Sequence, residues 1–326
     1  MRILYLTGDN RMRSSAFSLF LPLWKELISC DIDFMETNTF QKYPNLRKDI
    51  FNGKDVPYLP KVFNSYIQNT YDIIVIENLF PYWNEDWSKI KAKKVMVLGD
   101  LHRFDPNGTK FPSFMSHIRD NVGVSAILTK YIESYHMIYK DVGLPVYHWP
   151  HSIDPTMFNY MEDIDKEYGV LSTGSMNSVY PVRQILHSKL KDKKYYKRID
   201  RPNNNTITHP NPWPIGEDYV KELNKSMISI ACTSKYHYTI AKIFEIPACG
   251  SVLLCDYTNE MKDLGFIPGE NFIETRNTTI DHIEYLLNDN PDRLQKICER
   301  GHFMVHNNHT TKHRVDQFIR YMREII

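Results

Sequence analysis

The chain has 326 residues, 42% hydrophobic and 24% charged, with a formal net charge of +1. That length exceeds one ordinary core and suits two domains of about 150 residues each, and near-neutrality excludes a global electrostatic pull toward nucleic acid or acidic membranes. Its apolar runs fall far short of the ~20 residues of a membrane span, and five cysteines without a C-x-x-C pair read as reduced, mostly buried thiols.

The opening MRILYLT is a buried-strand pattern, followed by turn residues Gly8-Asp9-Asn10 and a helix expected over 14–28. With no long apolar leader ahead of that strand, an intracellular, cytoplasmic location is expected, in the cytoplasm of a host cell if the source is a virus. The same absence argues against an exported binding protein. The first turn lacks a full G-x-G-x-x-G, which weakens a nicotinamide reading. A second strand is expected at 32–35, a polar irregular excursion at 38–58, and clear buried strands at 71–77 and 94–100. Asp100 and His102 follow the last of these, at a strand's carboxyl end, where doubly wound sheets hold ligands. Strands at 124–128 and 146–149, with a helix at 131–139 between them, complete a first Rossmann-like domain over 1–155. The prolyl, polar stretch 148–155 marks its boundary.

A second α/β domain, 156–311, restarts with a strand at 168–174. Gly174-Ser175 and a short loop lead to a helix opening at 180–183, where Gly174 lets backbone approach a phosphate and Arg183 starts the packing helix. A basic stretch at 187–201, a proline-dense loop at 210–214 and a helix at 218–225 lead to a strand, loop, helix and strand over 227–254. Residues 232–238 form its expected binding loop, with Thr233 and Ser234 as hydroxyl donors to phosphate or as an ordinary helix cap. Lys242 falls in the first turn of the helix expected from Thr239, and Glu245 lies three residues on, on the same face. A cation for a diphosphate beside a carboxylate for vicinal hydroxyls is what a nucleotide-sugar site needs; the bland alternative is a solvated ion pair on a helix surface. A last helix is expected at 312–326.

Lys242-Ile243-Phe244-Glu245-Ile246-Pro247-Ala248-Cys249-Gly250, followed by Val252-Leu253-Leu254-Cys255-Asp256, resembles the donor-binding segment of group 1 GT-B glycosyltransferases, in particular the CgeB-like (spore maturation protein-like) branch. The resemblance continues through Gly265, Pro268-Gly269-Glu270-Asn271, Gly301, Thr310-Thr311 and His313-Arg314, most of the second half of the chain. It implies an α/β GT-B fold, two Rossmann-like doubly wound domains facing a central cleft, with the final helix crossing back to the first. It further implies a nucleotide-sugar-dependent transferase, a hexosyltransferase, with a UDP-sugar favoured as co-substrate, no further cofactor and no metal. Many GT-B enzymes place two glutamates eight positions apart; Glu245 matches the second, which implies the ribose role, whereas His237 stands at the first. The sugar's identity is thereby left open. Gly174, Ser175, Arg183, Thr233, Ser234, His237, Lys242 and Glu245 make up the expected donor site.

His102 and Asp100 are then candidates for acceptor handling, as general base or as positioning groups. Asp9, Asn10 and Arg13 in the first loop are acceptor-side candidates, although turn formation and a helix start account for them as well. The acceptor is left open between a glycan, a small molecule, a protein and a hydroxylated base in DNA. A non-catalytic nucleotide-sugar sensor is the alternative that His237 keeps alive. Asp31-x-Asp33 and Asp163-x-Asp165 imitate a metal-binding pair without its ligand count. His302, His306, His309 and His313 carry a zinc spacing, but Asn307-Asn308 and Thr310-Thr311 are expected to interrupt the helix. The basic run 187–201 is read as a solvated helix and turn, or as a track for a phosphate backbone.

Overall fold

The computed structural model describes residues 1–7, 23, 26–27, 30, 32–36, 70–77, 86–103, 114–139, 142–200, 216–276 and 278–326. The chain forms two compact units, Met1–Pro150 with Thr311–Ile326, and His151–Thr310.

The first unit is built on a parallel sheet of six described strands: β1 (Ile3–Thr7), β2 (Asp33–Glu36), β3 (Ile73–Ile76), β4 (Lys93–Leu98), β5 (Val124–Thr129) and β6 (Val146–His148), in the order β2-β1-β3-β4-β5-β6. Parallel strands covered on both faces read as continuous apolar runs, and Ile73–Ile76 is buried at every position. Alternate residues Ile3, Tyr5, Ile73, Val75, Val95 and Val97 share one core with Trp149, Val315, Phe318 and Met322. The last three lie on a helix, Thr311–Ile325, whose 3.6-residue period presents them on one face. Trp149 Nε1 donates to the Arg314 carbonyl at 2.9 Å, and Tyr321 and Gln317 donate to the His148 carbonyl at 3.0 and 3.1 Å, so the carboxyl end of β6 is tied to this terminal helix.

The second unit carries β7 (Tyr168–Thr173), β8 (Tyr196–Ile199), β9 (Ser226–Ile230), β10 (Val252–Cys255) and β11 (Ile273–Glu274), all parallel, in the order β11-β10-β9-β7-β8. Its helices are α1 (Pro181–Leu190), α2 (Glu217–Asn224), α3 (Lys242–Ala248), α4 (Asn259–Asp263), α5 (Ile280–Asn288) and α6 (Pro291–Asn308). Leu186, Leu190, Ile283, Leu286, Leu294 and Ile297 from three of these close over Val170, Ile228, Ile230, Val252 and Leu254. A Cβ on Gly301 would lie 2.7 Å from the Asn271 carbonyl oxygen and 3.2 Å from Pro247 on α3, so only glycine lets α6 lie this close to the Asn271 backbone.

One expectation is corrected here and another is met. The basic run 187–201 is not only helix and turn: Tyr196–Ile199 is an edge strand of the described sheet, paired with β7, and the exposed Lys197 suits such an edge. Asn307-Asn308 break the run as expected: α6 stops at Asn308 and the terminal helix starts afresh at Thr311. They end α6, each side-chain amide donating to the carbonyl four residues back, Phe303 and Met304, while burial of Met304 and Val305 holds the turn. Among the described residues no helix is long and apolar enough to cross a membrane.

Candidate functional site

In the second unit the chain leaves β7 toward β8 on one side and returns as β9 on the other, so strand order reverses between β7 and β9. Ligands of doubly wound sheets bind at that reversal, outside the carboxyl ends of the strands. The loops that follow these two strands, 174–180 and 231–241, are joined there by Lys235 N–H donating to the Val179 carbonyl at 2.8 Å.

Gly174 is the first residue beyond β7 and sits at φ +96, a region open to glycine. A Cβ there would lie 3.1 Å from Lys242 Nζ and 3.2 Å from Arg183 Nη1, so two cations flank its bare Cα. Arg183 is 2% exposed on the first turn of α1. Its Nη1 donates to the Ser175 carbonyl at 2.8 Å and its guanidinium lies 4.4 Å over the Tyr180 ring. Its Nε is buried without a hydrogen bond, and no carboxylate among the described residues pairs with it. Burial lowers its pKa. Such a charge is costly unless an anion joins it.

Lys242, the first residue of α3, donates from Nζ to the Thr173 hydroxyl and lies 5.2 Å over the Tyr219 ring. One turn on, Glu245 is 2% exposed. Its Oε2 accepts from the Tyr219 hydroxyl at 3.1 Å, and its Oε1 is buried without a partner. Burial pushes its pKa up to about 7, against the pull of Lys242 and the Tyr219 hydrogen bond. Thus Lys242 and Glu245 are not a solvated pair on a helix surface. Glu245 is buried and Lys242 half-buried, at a strand-order reversal beside a glycine turn.

The loop after β9 is fixed from within. Thr233 N–H donates to Asp256 Oδ1 at 2.9 Å and its hydroxyl donates to Asp256 Oδ2, so that hydroxyl proton is committed to Asp256 at the end of β10. Ser234 (φ +66) and His237 (φ +58) both adopt left-handed backbone, rare for residues with a side chain and concentrated at functional sites. Ser234 Oγ accepts from Tyr236 N–H at 3.1 Å.

Arg198 and Tyr219 are participants that the sequence did not single out. Arg198 Nη2 donates to the Gly174 carbonyl, and Nη1 to the Ser172 carbonyl and hydroxyl at 3.2 and 3.1 Å. It therefore fixes the turn that Gly174 makes. No local pattern signals either residue, because each reaches the site from another element.

In the first unit Asp100 is exposed just beyond β4, and His102 is half-buried in the short turn Leu101–Arg103. Strand order there reverses between β1 and β3, so these two follow a strand beside the reversal, and Glu77, after β3, is nearer to it. Asp9, Asn10 and Arg13 lie outside the described residues. The histidines of the zinc spacing do not converge on a cavity: His302 Nδ1 and His306 Nε2 both meet the Ala248 carbonyl, at 3.0 and 3.2 Å, and His309 Nε2 meets that of Leu264 at 2.8 Å. Asp33 accepts from Tyr71 at 2.9 Å, and Asp163 and Asp165 are exposed. Among the described residues no three His, Cys, Asp or Glu side chains could hold a metal together.

Two parallel, doubly wound units with this return of the last helix to the first define the GT-B glycosyltransferase fold. The chain shares it with sucrose-phosphate synthase of Thermosynechococcus elongatus (10% identity, 100% and 99% of the two chains, TM-score 0.65) and with Anabaena HepE solved with UDP and glucose (11%, 99% and 100%, 0.64). It shares it also with phage T4 β-glucosyltransferase (16%, 98% of each chain, 0.60). Residues 183–320, from Arg183 into the final helix, match the family model described as glycosyl transferase-like. No curated protein matches the chain in sequence.

Proposed function

We propose that the chain is a glycosyltransferase of the group 1, CgeB-like kind, moving a hexose from a nucleoside diphosphate sugar, a UDP-sugar by preference, to an acceptor hydroxyl. The observation that carries this reading is the pairing of two cations at Gly174, the buried Arg183 and the half-buried Lys242, with a buried carboxylate, Glu245, that keeps one oxygen without a protein partner. The diphosphate fits the cations, and the ribose hydroxyls fit Glu245 Oε1, which lacks a donor. Helix α3 has seven residues, so phosphate binding falls to Lys242, Arg183 and the backbone at Gly174 and Ser175 more than to a helix terminus. The same cations stabilise charge developing on the departing nucleoside diphosphate, with no divalent ion required. Ser234 and His237 contact the donor from their fixed loop, and Thr233 acts through that loop's anchorage.

His102 and Asp100 handle the acceptor, as base or as orienting groups. HepE with UDP and glucose, and β-glucosyltransferase, a DNA-modifying enzyme whose substrate is uridine diphosphoglucose, support the donor class and keep a hydroxylated DNA base among the acceptors. The test is incubation with UDP-glucose and UDP-galactose, offering glycans, a protein extract and hydroxymethylated DNA, with UDP release and labelled product followed together. Transfer to one acceptor is expected. Donor binding with neither transfer nor hydrolysis would replace the enzyme by a nucleotide-sugar sensor.

A further inference from the structure

One side chain of the second unit touches both halves of the proposed donor site. Tyr219, on α2, is buried, with its ring face against the Lys242 ammonium at 5.2 Å and its hydroxyl 3.1 Å from Glu245 Oε2. The Thr173 hydroxyl meets Tyr219 as well as Lys242, closing a circuit from cation to carboxylate. Thr173, Tyr219 and Glu245 are buried and Lys242 is half-buried, so the circuit is largely in place before a ligand arrives. Fixed geometry reduces the ordering cost of binding.

We propose that Tyr219 is the positioning residue of the donor site: its ring seats Lys242 for the diphosphate, and its hydroxyl holds Glu245 Oε2 so that Oε1 is kept for the ribose. This rests on the donor-site reading above. The two roles belong to different atoms of one side chain and can be separated. The hydroxyl donates to the carboxylate and favours its charged form. The groups that face Glu245 are Lys242 on its own helix, Tyr219 from α2 and the Cys249 thiol at the end of α3, which burial keeps protonated. Of these, Lys242 and Tyr219 oppose the burial that favours the neutral acid.

Tyr219→Phe keeps the ring and removes the donor. Titration calorimetry of UDP-glucose from pH 5.5 to 9 then reads the consequence. Wild-type affinity rises through about pH 7 as Glu245 ionises, and the variant's midpoint moves up by about one unit, the equivalent of one charge-assisted hydrogen bond. Inorganic pyrophosphate, which needs no ribose contact, binds wild type and Tyr219→Phe alike, but binds Tyr219→Leu about tenfold more weakly, because the face under Lys242 is gone. A buried side chain acting only through packing would leave the midpoint in place. Site-specific 3-fluorotyrosine at 219, a stronger donor of nearly the same size, covers the case of a poorly folding variant and moves the midpoint down. An unshifted midpoint in a protein that binds UDP-glucose overturns this inference alone; no binding by wild type to any nucleoside diphosphate sugar overturns the donor reading and this one with it.

Discussion

Replacing Glu245 by glutamine exposes what the proposed donor site costs the fold. In the folded chain the carboxyl ionises near pH 7, because burial withholds water from it, against an ordinary value of 4.5. A raised carboxyl pKa means that the folded state holds its proton longer than the unfolded state. Its effect on stability is therefore absent below about pH 4.5, grows as pH rises, and is complete once pH passes about 7. The gap corresponds to about 3 kcal/mol lost by the wild type across that window. Glu245→Gln does not titrate, and the Tyr219 hydroxyl can still donate to its amide oxygen. Urea unfolding of both proteins without ligand, at pH 5, 6, 7 and 8, should show the difference shifting toward the variant by up to about 3 kcal/mol. A difference that stays constant with pH would refute the burial argument, and with it the claim that a ligand has to complete this carboxylate.

Gly174→Ala places a methyl group at φ +96, 3.1 Å from Lys242 Nζ, and should weaken UDP-sugar binding about tenfold or more in calorimetry, from backbone strain and the displaced ammonium. Phe318→Ala empties a fully buried ring from the core beneath Tyr5 and Trp149 and should lower stability by about 3–5 kcal/mol in denaturant unfolding. The lysine, arginine and carboxylate of the donor site are untouched by it, so donor affinity of the folded protein should stay at the wild-type value. Treatment with EDTA should leave transfer rate unchanged if, as proposed, Lys242 and Arg183 carry the charge on the leaving diphosphate; loss of activity restored by Mg²⁺ or Mn²⁺ would show otherwise.

The buried parallel strands were legible because a strand covered on both faces needs an unbroken apolar run, and Ile73–Ile76, Lys93–Leu98 and Val252–Cys255 lie on such runs. Lys242 and Glu245 were legible because their chemistry and their spacing sit on one turn of one helix. Tyr219 and Arg198 were not, since Tyr219 lies 26 residues from Glu245 and Arg198 lies 24 from Gly174, the groups they hold, and only the strand order brings them to the site. Tyr196–Ile199 escaped notice because a half-exposed edge strand carries charge where a central strand carries valine. The histidine spacing had a different origin: two imidazoles on successive turns of α6 serve the Ala248 carbonyl at the end of α3, a capping task that local sequence does not distinguish from metal ligation.

Titration calorimetry against UDP-, GDP-, dTDP- and ADP-sugars, with Lys242→Ala and Glu245→Ala alongside the wild type, tests the donor site most directly. The account predicts micromolar binding of one donor, a UDP-sugar, abolished by either substitution. Absence of binding to every donor, or binding that survives both substitutions, would contradict it.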